Sequence, residues 1–411
     1  MIKADAIVLG AGIVGISVAV HLQKRGRATV LVDRRGAAEE TSYGNAGLVQ
    51  REGVYPYGFP HDFGALFRYG LNRTIDAHYH PSAIPKLAAF LWRYWTHSHP
   101  KRHALIAKAY AELINHCIVE HQALIAEAGA HALVRPSGWM KVFRTERERD
   151  KRFEEAELWR REFGLNYAVL DARQLQEREP HLAPVLVGAL HWTDPLAVVD
   201  PQALALSYLG LFERLGGRFV QGNAAFLEPE WQVKTVEGPV TARDCVVALG
   251  PWSDLVAKRL GYDLPLAVKR GYHMHYRPAG KAVLNTPVLD TERGYFLAPM
   301  RRGIRLTTGA EFALRDAIRT PVQLGRAEPI ARELFPLAER LDNEPWMGSR
   351  PCTPDMMPVI GPAPRHRNLW FAFGHAHHGL TLGPVTGRMV AEMACGEKPF
   401  VDPRAFRVDR F

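Results

Sequence analysis

The first forty residues alternate between apolar runs and short polar breaks, a pattern that predicts two buried strands joined by a helix. Residues 4–9 (ADAIVL) form the first apolar run, and residues 28–32 (ATVLV) form the second. Between them, residues 16–24 carry apolar side chains at helical spacing. The pattern therefore predicts a βαβ unit, with two parallel strands and a helix packed on one face.

The first predicted strand leads directly into a glycine-rich turn, GAGIVG, which opens the helix. Gly10 permits a tight bend, Gly12 lets the backbone approach a pyrophosphate, and Gly15 lets the helix pack against the strand. Ile13 and Val14 begin the helix, whose free N–H groups and positive dipole end favour phosphate. The turn therefore predicts a dinucleotide-binding site.

Acidic and basic residues follow the second predicted strand. Asp33 stands at its end, where a carboxylate can accept hydrogen bonds from ribose hydroxyls. Arg34 and Arg35 come next, and they are also compatible with binding a 2′-phosphate. The motif by itself therefore leaves NAD and FAD open, and the choice between them depends on the sequence downstream.

A small, polar turn, TSYGNAG, follows at residues 41–47. Its backbone and hydroxyl groups are placed to reach a cofactor that lies along the first strand, although an ordinary surface loop has the same composition. If the turn binds the cofactor, the contacts we expect are Ser42, Asn45, Ala46 and Gly47.

Further α/β elements lie far along the chain, which predicts a discontinuous nucleotide-binding domain. Residues 203–215 read as a helix after Asp200 and Pro201, and residues 218–227 and 245–249 read as strands. Within these elements, the cofactor contacts we expect are Ala225, Ala248, Gly250 and Trp252.

The C-terminal region repeats the arrangement of a strand, a glycine turn and a helix. Residues 369–373 predict the strand, GHAHHG forms the turn, and the helix runs to about residue 394. A second helix N-terminus here would stabilise the negative charge of a reduced flavin. The contacts we expect are Gly374, His378, Gly379, Leu380 and Thr381. The histidines also suggest a metal site, but no carboxylate or cysteine accompanies them, so we predict none.

Composition narrows the class of protein. The chain has 411 residues, 47% of them hydrophobic and 23% charged, which is typical of a globular protein with two or three compact units. The formal charge is +9 without a long basic block, which fits anionic substrates or a membrane surface at least as well as nucleic acid, and no nucleic-acid motif is present. Four scattered cysteines lack metal or redox spacing and favour a reducing, cytoplasmic compartment. We predict neither a targeting segment nor a membrane-spanning run.

The sequence resembles the D-amino acid oxidase superfamily of FAD-dependent oxidoreductases, and within it the bacterial D-amino acid dehydrogenases. The most specific motifs are GSRPCTPD at 348–355, with PVIG at 358–361, and the segment 374–388. The N-terminal glycine motif, residues 42–47, 200–201 and 246–253 match as well, so the resemblance spans nearly the whole chain.

The resemblance implies an α/β fold with two domains. A discontinuous Rossmann-type FAD-binding domain would comprise residues 1–80, 196–262 and 346–411. A substrate domain, residues 81–195 and 263–345, would contain a mainly antiparallel sheet. The candidate strands for that sheet are 139–143, 190–193, 267–276, 295–299 and 304–309.

A helical insertion at about residues 85–130 contains the aromatic and basic stretch LWRYW at 91–95. We interpret this stretch either as the packed face of a helix or as a peripheral contact with a membrane. The second interpretation would place the enzyme on the cytoplasmic face of the inner membrane, beside a quinone acceptor.

An amino acid substrate needs a fixed cation for its carboxylate, and the planar fork of arginine suits this role. The resemblance assigns it to Arg350, with a structural ion pair to Asp355 as the alternative. Arg270 is a candidate second arginine, and Tyr272 and Tyr295 are candidates to line the pocket. Strand alternation places Arg270 and Tyr272 on the same side, and a structural position in a buried sheet is the alternative for each.

The function implied is oxidation of the Cα–N bond of a D-amino acid by hydride transfer to flavin N5. The imine would then hydrolyse to a keto acid and ammonia, and electrons would pass to quinone or another acceptor. Binding geometry would carry most of the catalysis without an essential base. The alternatives are a D-hydroxyproline or D-proline dehydrogenase, an oxygen-using amino acid or amine oxidase, and an accessory FAD subunit. The position of Cys352 differs from that of the cysteine in covalently flavinylated sarcosine oxidases, so non-covalent FAD is expected.

Overall fold

The computed structural model describes residues 2–411. The strands, numbered in chain order, are β1 (Ile2–Leu9), β2 (Thr29–Asp33), β3 (Leu48–Val49), β4 (Ala77–Tyr79), β5 (Val134–Arg135), β6 (Trp139–Phe143), β7 (Tyr167–Asp171), β8 (Gly188–Trp192), β9 (Leu196–Val198), β10 (Arg218–Gln221), β11 (Gln232–Thr235), β12 (Gly238–Val247), β13 (Ala267–Pro278), β14 (Val288–Asp290), β15 (Tyr295–Met300), β16 (Gly303–Thr307), β17 (Ala310–Phe312), β18 (Leu337–Arg340), β19 (Trp346–Cys352), β20 (Val359–Pro362) and β21 (Leu369–Phe373). The helices are α1 (Ile13–Lys24), α2 (Phe63–Gly70), α3 (Ile84–His97), α4 (Pro100–Ile114), α5 (Cys117–Ala128), α6 (Glu146–Phe163), α7 (Ala172–Arg178), α8 (Pro201–Arg214), α9 (Ser253–Arg259), α10 (Val322–Leu334) and α11 (Gly379–Ala394).

The first sheet is the predicted nucleotide-binding sheet. Its strands lie in the order β10-β2-β1-β12-β21-β20, and all are parallel except the edge strand β20. The strand β11 adds to β12 in the antiparallel sense. The predicted βαβ unit is therefore confirmed, and so is the recruitment of strands from distant parts of the chain.

Two helices, α1 and α11, pack side by side against this sheet. A Cβ atom on Gly387 of α11 would lie 2.5 Å from the backbone carbon of Ser17 in α1. A Cβ atom on Gly383 would lie 3.1 Å from the side chain of Ile13. Each helix follows the carboxyl end of a parallel strand, β1 or β21, so both helices begin at the same edge of the sheet.

The second sheet is large and mainly antiparallel, as predicted. Its strands lie in the order β4-β17-β13-β16-β15-β14-β6-β8-β7, and β18 and β19 also pair with β13. One face is covered by α10 and buries an apolar cluster that includes Met274, Leu297 and Leu306. The opposite face of β13 and β19 faces a cavity.

Two expectations about strands were wrong in detail. The segment 218–227 was predicted as one strand, but β10 ends at Gln221. The chain turns there because the side chain of Asn223 accepts a hydrogen bond from the Ala225 N–H (2.9 Å). In addition, β4 and β19 pair in the large sheet, although they fall within the ranges expected for the FAD-binding domain.

The predicted helical insertion consists of α3, α4 and α5. The helix α3 buries Leu87, Phe90 and Tyr94, whereas Trp92 is 64% exposed and stacks on Trp95. No helix among residues 2–411 is long and apolar enough to cross a membrane.

We expect Gly387→Val to destabilise the protein, because its side chain would overlap the backbone of α1. Overpacking of this kind costs about 1–3 kcal/mol, which thermal unfolding detects as a lower Tm. Gly325 in α10 is the matched control, since a Cβ atom there meets nothing within 4 Å. Gly325→Ala should leave the Tm unchanged or raise it slightly. Equal Tm values for the two variants would contradict the close packing of α1 and α11.

Candidate functional site

A cavity of about 1710 Å³ is lined by residues of both the parallel sheet and the large sheet. Its walls include the glycine turn before α1, the start of α11, and the uncovered face of β13 and β19. The volume exceeds the few hundred to about 1,000 Å³ that is usual for one drug-sized ligand. The cavity therefore has room for a large cofactor together with a small substrate.

The glycine turn is held open towards this cavity by side chains from neighbouring segments. The Asp33 carboxylate accepts a hydrogen bond from the Ala11 N–H (2.7 Å), and the Ser42 hydroxyl accepts one from the Ile13 N–H (3.0 Å). A Cβ atom on Gly12 would have only the Ser42 hydroxyl within 4 Å. The turn thus presents bare backbone to the cavity, which fits the close approach of a pyrophosphate.

Most residues predicted to contact the cofactor line the cavity. They are Gly10, Gly12, Ile13, Val14, Asp33, Arg34, Ser42, Asn45, Ala46, Ala225, Ala248, Gly250, Trp252, His378, Gly379 and Leu380.

Four others, Gly15, Gly47, Gly374 and Thr381, lie behind that lining. A Cβ atom on Gly15 would overlap the Gly10 carbonyl, which agrees with its predicted packing role. Gly47 and Gly374 adopt φ angles of +76° and +82°, which favour glycine. The Thr381 hydroxyl accepts a hydrogen bond from the Gln50 N–H (3.1 Å).

The two arginines after β2 are engaged with a neighbouring acid. Glu40 pairs with Arg34 (3.3 Å) and with Arg35 (2.9 Å), and the Arg34 guanidinium also lies over the ring of Trp252. Their pairing with Glu40 reduces the charge that they offer to a 2′-phosphate.

The N-terminus of α11 opens into the cavity beside His378. The imidazole Nδ1 of His378 hydrogen bonds the Tyr110 hydroxyl (2.8 Å), and burial lowers the His378 pKa to about 4. The Nε2 atom is buried and has no partner within residues 2–411. Because first-turn N–H groups have no intrahelical partner, this helix start suits an electron-rich group such as a flavin pyrimidine ring.

Arg350 lies on the cavity face of β19 with its guanidinium over Gly271 of β13. Its Nη1 donates to the carbonyl oxygens of Arg270 (3.2 Å) and Gly309 (3.3 Å). The alternative ion pair with Asp355 does not form, because Asp355 pairs with Arg410 (2.8 Å). Burial lowers the Arg350 pKa, and no carboxylate lies within ion-pair distance among the described residues.

Lys269 is a cavity residue that the sequence reasoning missed. It lies directly opposite Arg350 in the β13–β19 pairing, and its ammonium donates to the Tyr94 hydroxyl (2.7 Å). A signal was present in the sequence, since a glycine inside a strand marks the face that another group approaches. Gly271 is that glycine, and alternation places Lys269 on its face.

Of the three residues expected to face the substrate, Tyr272 and Tyr295 line the cavity, whereas Arg270 does not. Arg270 is fully buried on the covered face, where it pairs with Glu311 (2.5 Å) and donates to two backbone carbonyls. The Tyr272 hydroxyl also donates to Glu311 (3.0 Å). The Tyr295 hydroxyl donates to the Ile330 carbonyl (3.4 Å). Arg270 and Tyr272 share a side as predicted, and both bond the Glu311 carboxylate there.

Glu311 also lies near two histidines. The ligand atoms of His78, His80 and Glu311 are all within 4.8 Å of one another. Because Arg270 and Tyr272 already bond the Glu311 carboxylate, the group is better explained as a buried ion-pair network than as a metal centre.

Other cavity residues were also missed by the sequence reasoning. Tyr57 is 52% exposed into the cavity region, and its ring lies 4.3 Å from that of His377. Glu52 is buried, accepts hydrogen bonds from Gln50 and Trp139, and has its pKa raised by burial. These residues follow β3 in an irregular segment, where neither periodicity nor a motif indicates which side chains face inward.

The turn at 42–47 is anchored to the large sheet by Arg305 of β16. The Arg305 guanidinium donates to the Asn45 carbonyl and to His275 Nε2 (3.0 Å). A second link runs from the Thr41 hydroxyl to the Ser349 carbonyl (2.9 Å). These bonds fix the distance between the cofactor-side turn and the cavity face of the large sheet.

We expect Gly12→Val to fold but to lose the cofactor, since its side chain would project into the space that the turn leaves open. The backbone φ of −77° at Gly12 accepts any residue. The ratio of flavin absorbance to protein absorbance in the purified protein measures the loss, and circular dichroism checks the fold. Full flavin content in this variant would contradict the placement of the pyrophosphate at this turn.

Comparison with known proteins agrees with this geometry. Residues 5–393 match the family model for FAD dependent oxidoreductases. The chain is 30% identical to a D-amino acid dehydrogenase of Chromohalobacter salexigens, over 99% of each chain. It is 27% identical to a D-amino-acid oxidase of Bradyrhizobium diazoefficiens, over 98% of each chain. It is also similar to the crystal structure of glycine oxidase from Geobacillus kaustophilus, with a TM-score of 0.74, 20% identity and complete coverage of both chains. The chain therefore belongs to the family of FAD dependent oxidoreductases.

Proposed function

We propose that this protein is a dehydrogenase that oxidises the Cα–N bond of a D-amino acid and passes the electrons to quinone or another acceptor. The observation that carries the proposal is Arg350, a cation on the cavity wall with no carboxylate partner among the described residues. A substrate carboxylate would supply the missing partner through bidentate hydrogen bonds. The D-amino acid dehydrogenase named above supports the choice of substrate class.

The chain's own residues would act mainly by positioning the substrate. Arg350 would hold the carboxylate, and the exposed ring of Tyr57 would limit the space around the bound molecule. Bound FAD would supply the hydride acceptor. Burial raises the pKa of Glu52, whose carboxylate accepts hydrogen bonds from Gln50 and Trp139. Substrate geometry would then provide most of the rate enhancement.

We further propose that FAD is held without a covalent bond. Cys352 is fully buried, its thiol points to the Arg350 carbonyl (3.5 Å), and it is not part of the cavity wall. Release of the yellow colour into an acid supernatant would agree with this proposal. Colour retained in the precipitate would contradict it.

The second candidate is an oxidase that returns electrons directly to oxygen. The similarity to a D-amino-acid oxidase supports this candidate. Anaerobic reduction of the flavin followed by separate exposure to air and to a soluble quinone distinguishes the two. Fast recovery of flavin absorbance only with quinone supports the dehydrogenase.

We expect D-amino acids to bleach the flavin absorbance when mixed anaerobically with the purified protein. The panel should include L-amino acids, glycine, D-proline and cis-4-hydroxy-D-proline. Arg350→Met should raise the KM for the amino acid at least about a hundredfold, because truncating one partner of a buried charge pair costs several kcal/mol. Arg350→Lys should restore part of the loss. Unchanged kinetics in Arg350→Met would contradict the proposed role.

We also propose that the protein contacts the cytoplasmic face of the inner membrane through a patch formed by Phe63, Phe67 and Trp92. These side chains are 86%, 72% and 64% exposed. Phe63 begins α2 two residues after His61, His61 stacks on Trp95, and Trp95 stacks on Trp92. Exposed aromatic side chains next to basic residues are typical of interfacial contacts.

Replacing these three aromatic residues with serine should reduce sedimentation of the protein with anionic liposomes. The physical reason is the loss of apolar contact with the lipid. A parallel measurement with neutral liposomes shows how much electrostatic attraction contributes to binding. Val236→Ser is the matched control, since Val236 is 75% exposed on the β11–β12 turn. Equal liposome binding by all variants would contradict the membrane contact.

A further inference from the structure

Two cations face each other across neighbouring strands on the wall of the cavity. Lys269 of β13 and Arg350 of β19 are direct partners in the antiparallel pairing, and both line the cavity. Side chains at directly opposite positions lie on the same face, where like charges destabilise a sheet. The strand pair therefore carries an electrostatic cost that its own fold does not explain.

The protein offers neither cation a carboxylate. Within residues 2–411, no ion pair involves Lys269 or Arg350. The acids near this part of the sheet are committed elsewhere, since Glu311 pairs with Arg270 on the covered face and Asp355 pairs with Arg410. Two buried positive charges without partners are unfavourable, so a bound anion would stabilise this wall.

The groups around Lys269 fix the position of its ammonium and are compatible with its positive charge. The Nζ atom lies 3.9 Å from the ring centroid of Tyr94 and 5.4 Å from that of Phe312, and both rings attract positive charge. Burial and the neighbouring Arg350 lower the Lys269 pKa to about 8, which leaves the amine mostly protonated at neutral pH. An ammonium has three donors, and the Tyr94 hydroxyl and the weakly accepting Met356 sulfur (3.7 Å) take two.

A purely structural role does not account for the charge. The Tyr94 hydroxyl donates to the Tyr57 carbonyl (2.6 Å), so Lys269 helps to fix the loop that carries Tyr57. An uncharged hydrogen-bond donor would serve that purpose without placing a second positive charge beside Arg350.

We propose that Lys269 is a specificity-determining residue, which binds a second carboxylate on the side chain of the substrate while Arg350 binds the α-carboxylate. The preferred substrate would then be a dicarboxylic amino acid. This inference rests on the proposed amino acid dehydrogenase function and extends it to a substrate class. Two carboxylates would neutralise both cations, whereas a substrate with an uncharged side chain would leave Lys269 unpaired. A substrate with a cationic side chain would be repelled.

The direct test compares acids with their uncharged amides in the FAD-loaded enzyme. We expect kcat/KM for anaerobic flavin reduction to be about ten- to a hundredfold higher for D-aspartate or D-glutamate than for D-asparagine or D-glutamine. Lys269→Met keeps the length of the side chain in its apolar surroundings and removes the charge. In this variant the acid-to-amide ratio should fall to about one, mainly through a higher KM for the acid.

Lys141→Met is the matched control, because Lys141 is a second lysine on the cavity wall and its ammonium lies over Trp159 rather than beside Arg350. It should keep the acid-to-amide ratio of the unaltered enzyme. Flavin content and Tm check that both variants are folded.

A binding measurement separates recognition from turnover. Succinate and its monoamide, succinamate, carry no oxidisable amine. Each can be added stepwise to the FAD-loaded enzyme, and its binding can be followed as a change in the flavin absorption spectrum. We expect succinate to bind more tightly than succinamate, and Lys269→Met to abolish the difference.

Each outcome bears on one of the two proposals. Flavin reduction by uncharged D-amino acids without a preference for acids would overturn the role of Lys269 and leave the dehydrogenase proposal standing. A preference for acids that persists in Lys269→Met would also overturn that role. If no amino acid reduces the flavin, the proposed function fails. The comparison of succinate with succinamate would then decide by itself whether Lys269 and Arg350 bind a dianion.

Discussion

The close contact between α1 and α11 is the constraint on which the site depends. Because Gly383 and Gly387 lack side chains, α11 packs directly against the start and middle of α1. Two helix N-termini therefore open at the same edge of the parallel sheet and into the same cavity. Their unpaired N–H groups and aligned dipoles favour negative charge, so the site can hold a pyrophosphate at one helix and an electron-rich ring at the other.

In the large sheet, the two faces of strand β13 differ in how their positive charges are balanced. On the covered face, the charge of Arg270 is balanced by Glu311 and enclosed by backbone carbonyls. On the cavity face, Lys269 and Arg350 are left without acids. The covered face therefore contributes to stability, and the cavity face keeps a positive potential that a substrate can neutralise. Arg305 connects this sheet to the cofactor-side turn, which fixes the two sides of the cavity relative to each other.

Much of the fold could be predicted, because its strongest signals are local. The apolar runs of β1 and β2, the glycine turn between β1 and α1, and the alternation along β13 and β15 each depend on a few neighbouring residues. The boundary of β10 was harder to predict, since the side chain of Asn223 ends the strand by bonding its own backbone. The assignment of β4 and β19 to the large sheet was not predictable either, since strand partners are chosen by long-range packing.

The sequence alone determined the dinucleotide-binding turn, the acid after β2 and the helix start at α11, whereas the role of Arg350 was implied by the family resemblance. These features require particular residue types at fixed spacing, so they are visible without coordinates. Only the tertiary structure decided which face of β13 packs against α10 and which face carries Lys269 and Gly271 on the cavity wall. Alternation relates Arg270 to Tyr272 but does not say which side is covered by α10. That choice depends on the pairing of β13 with β19 and on the packing of α10, which join residues far apart in the chain.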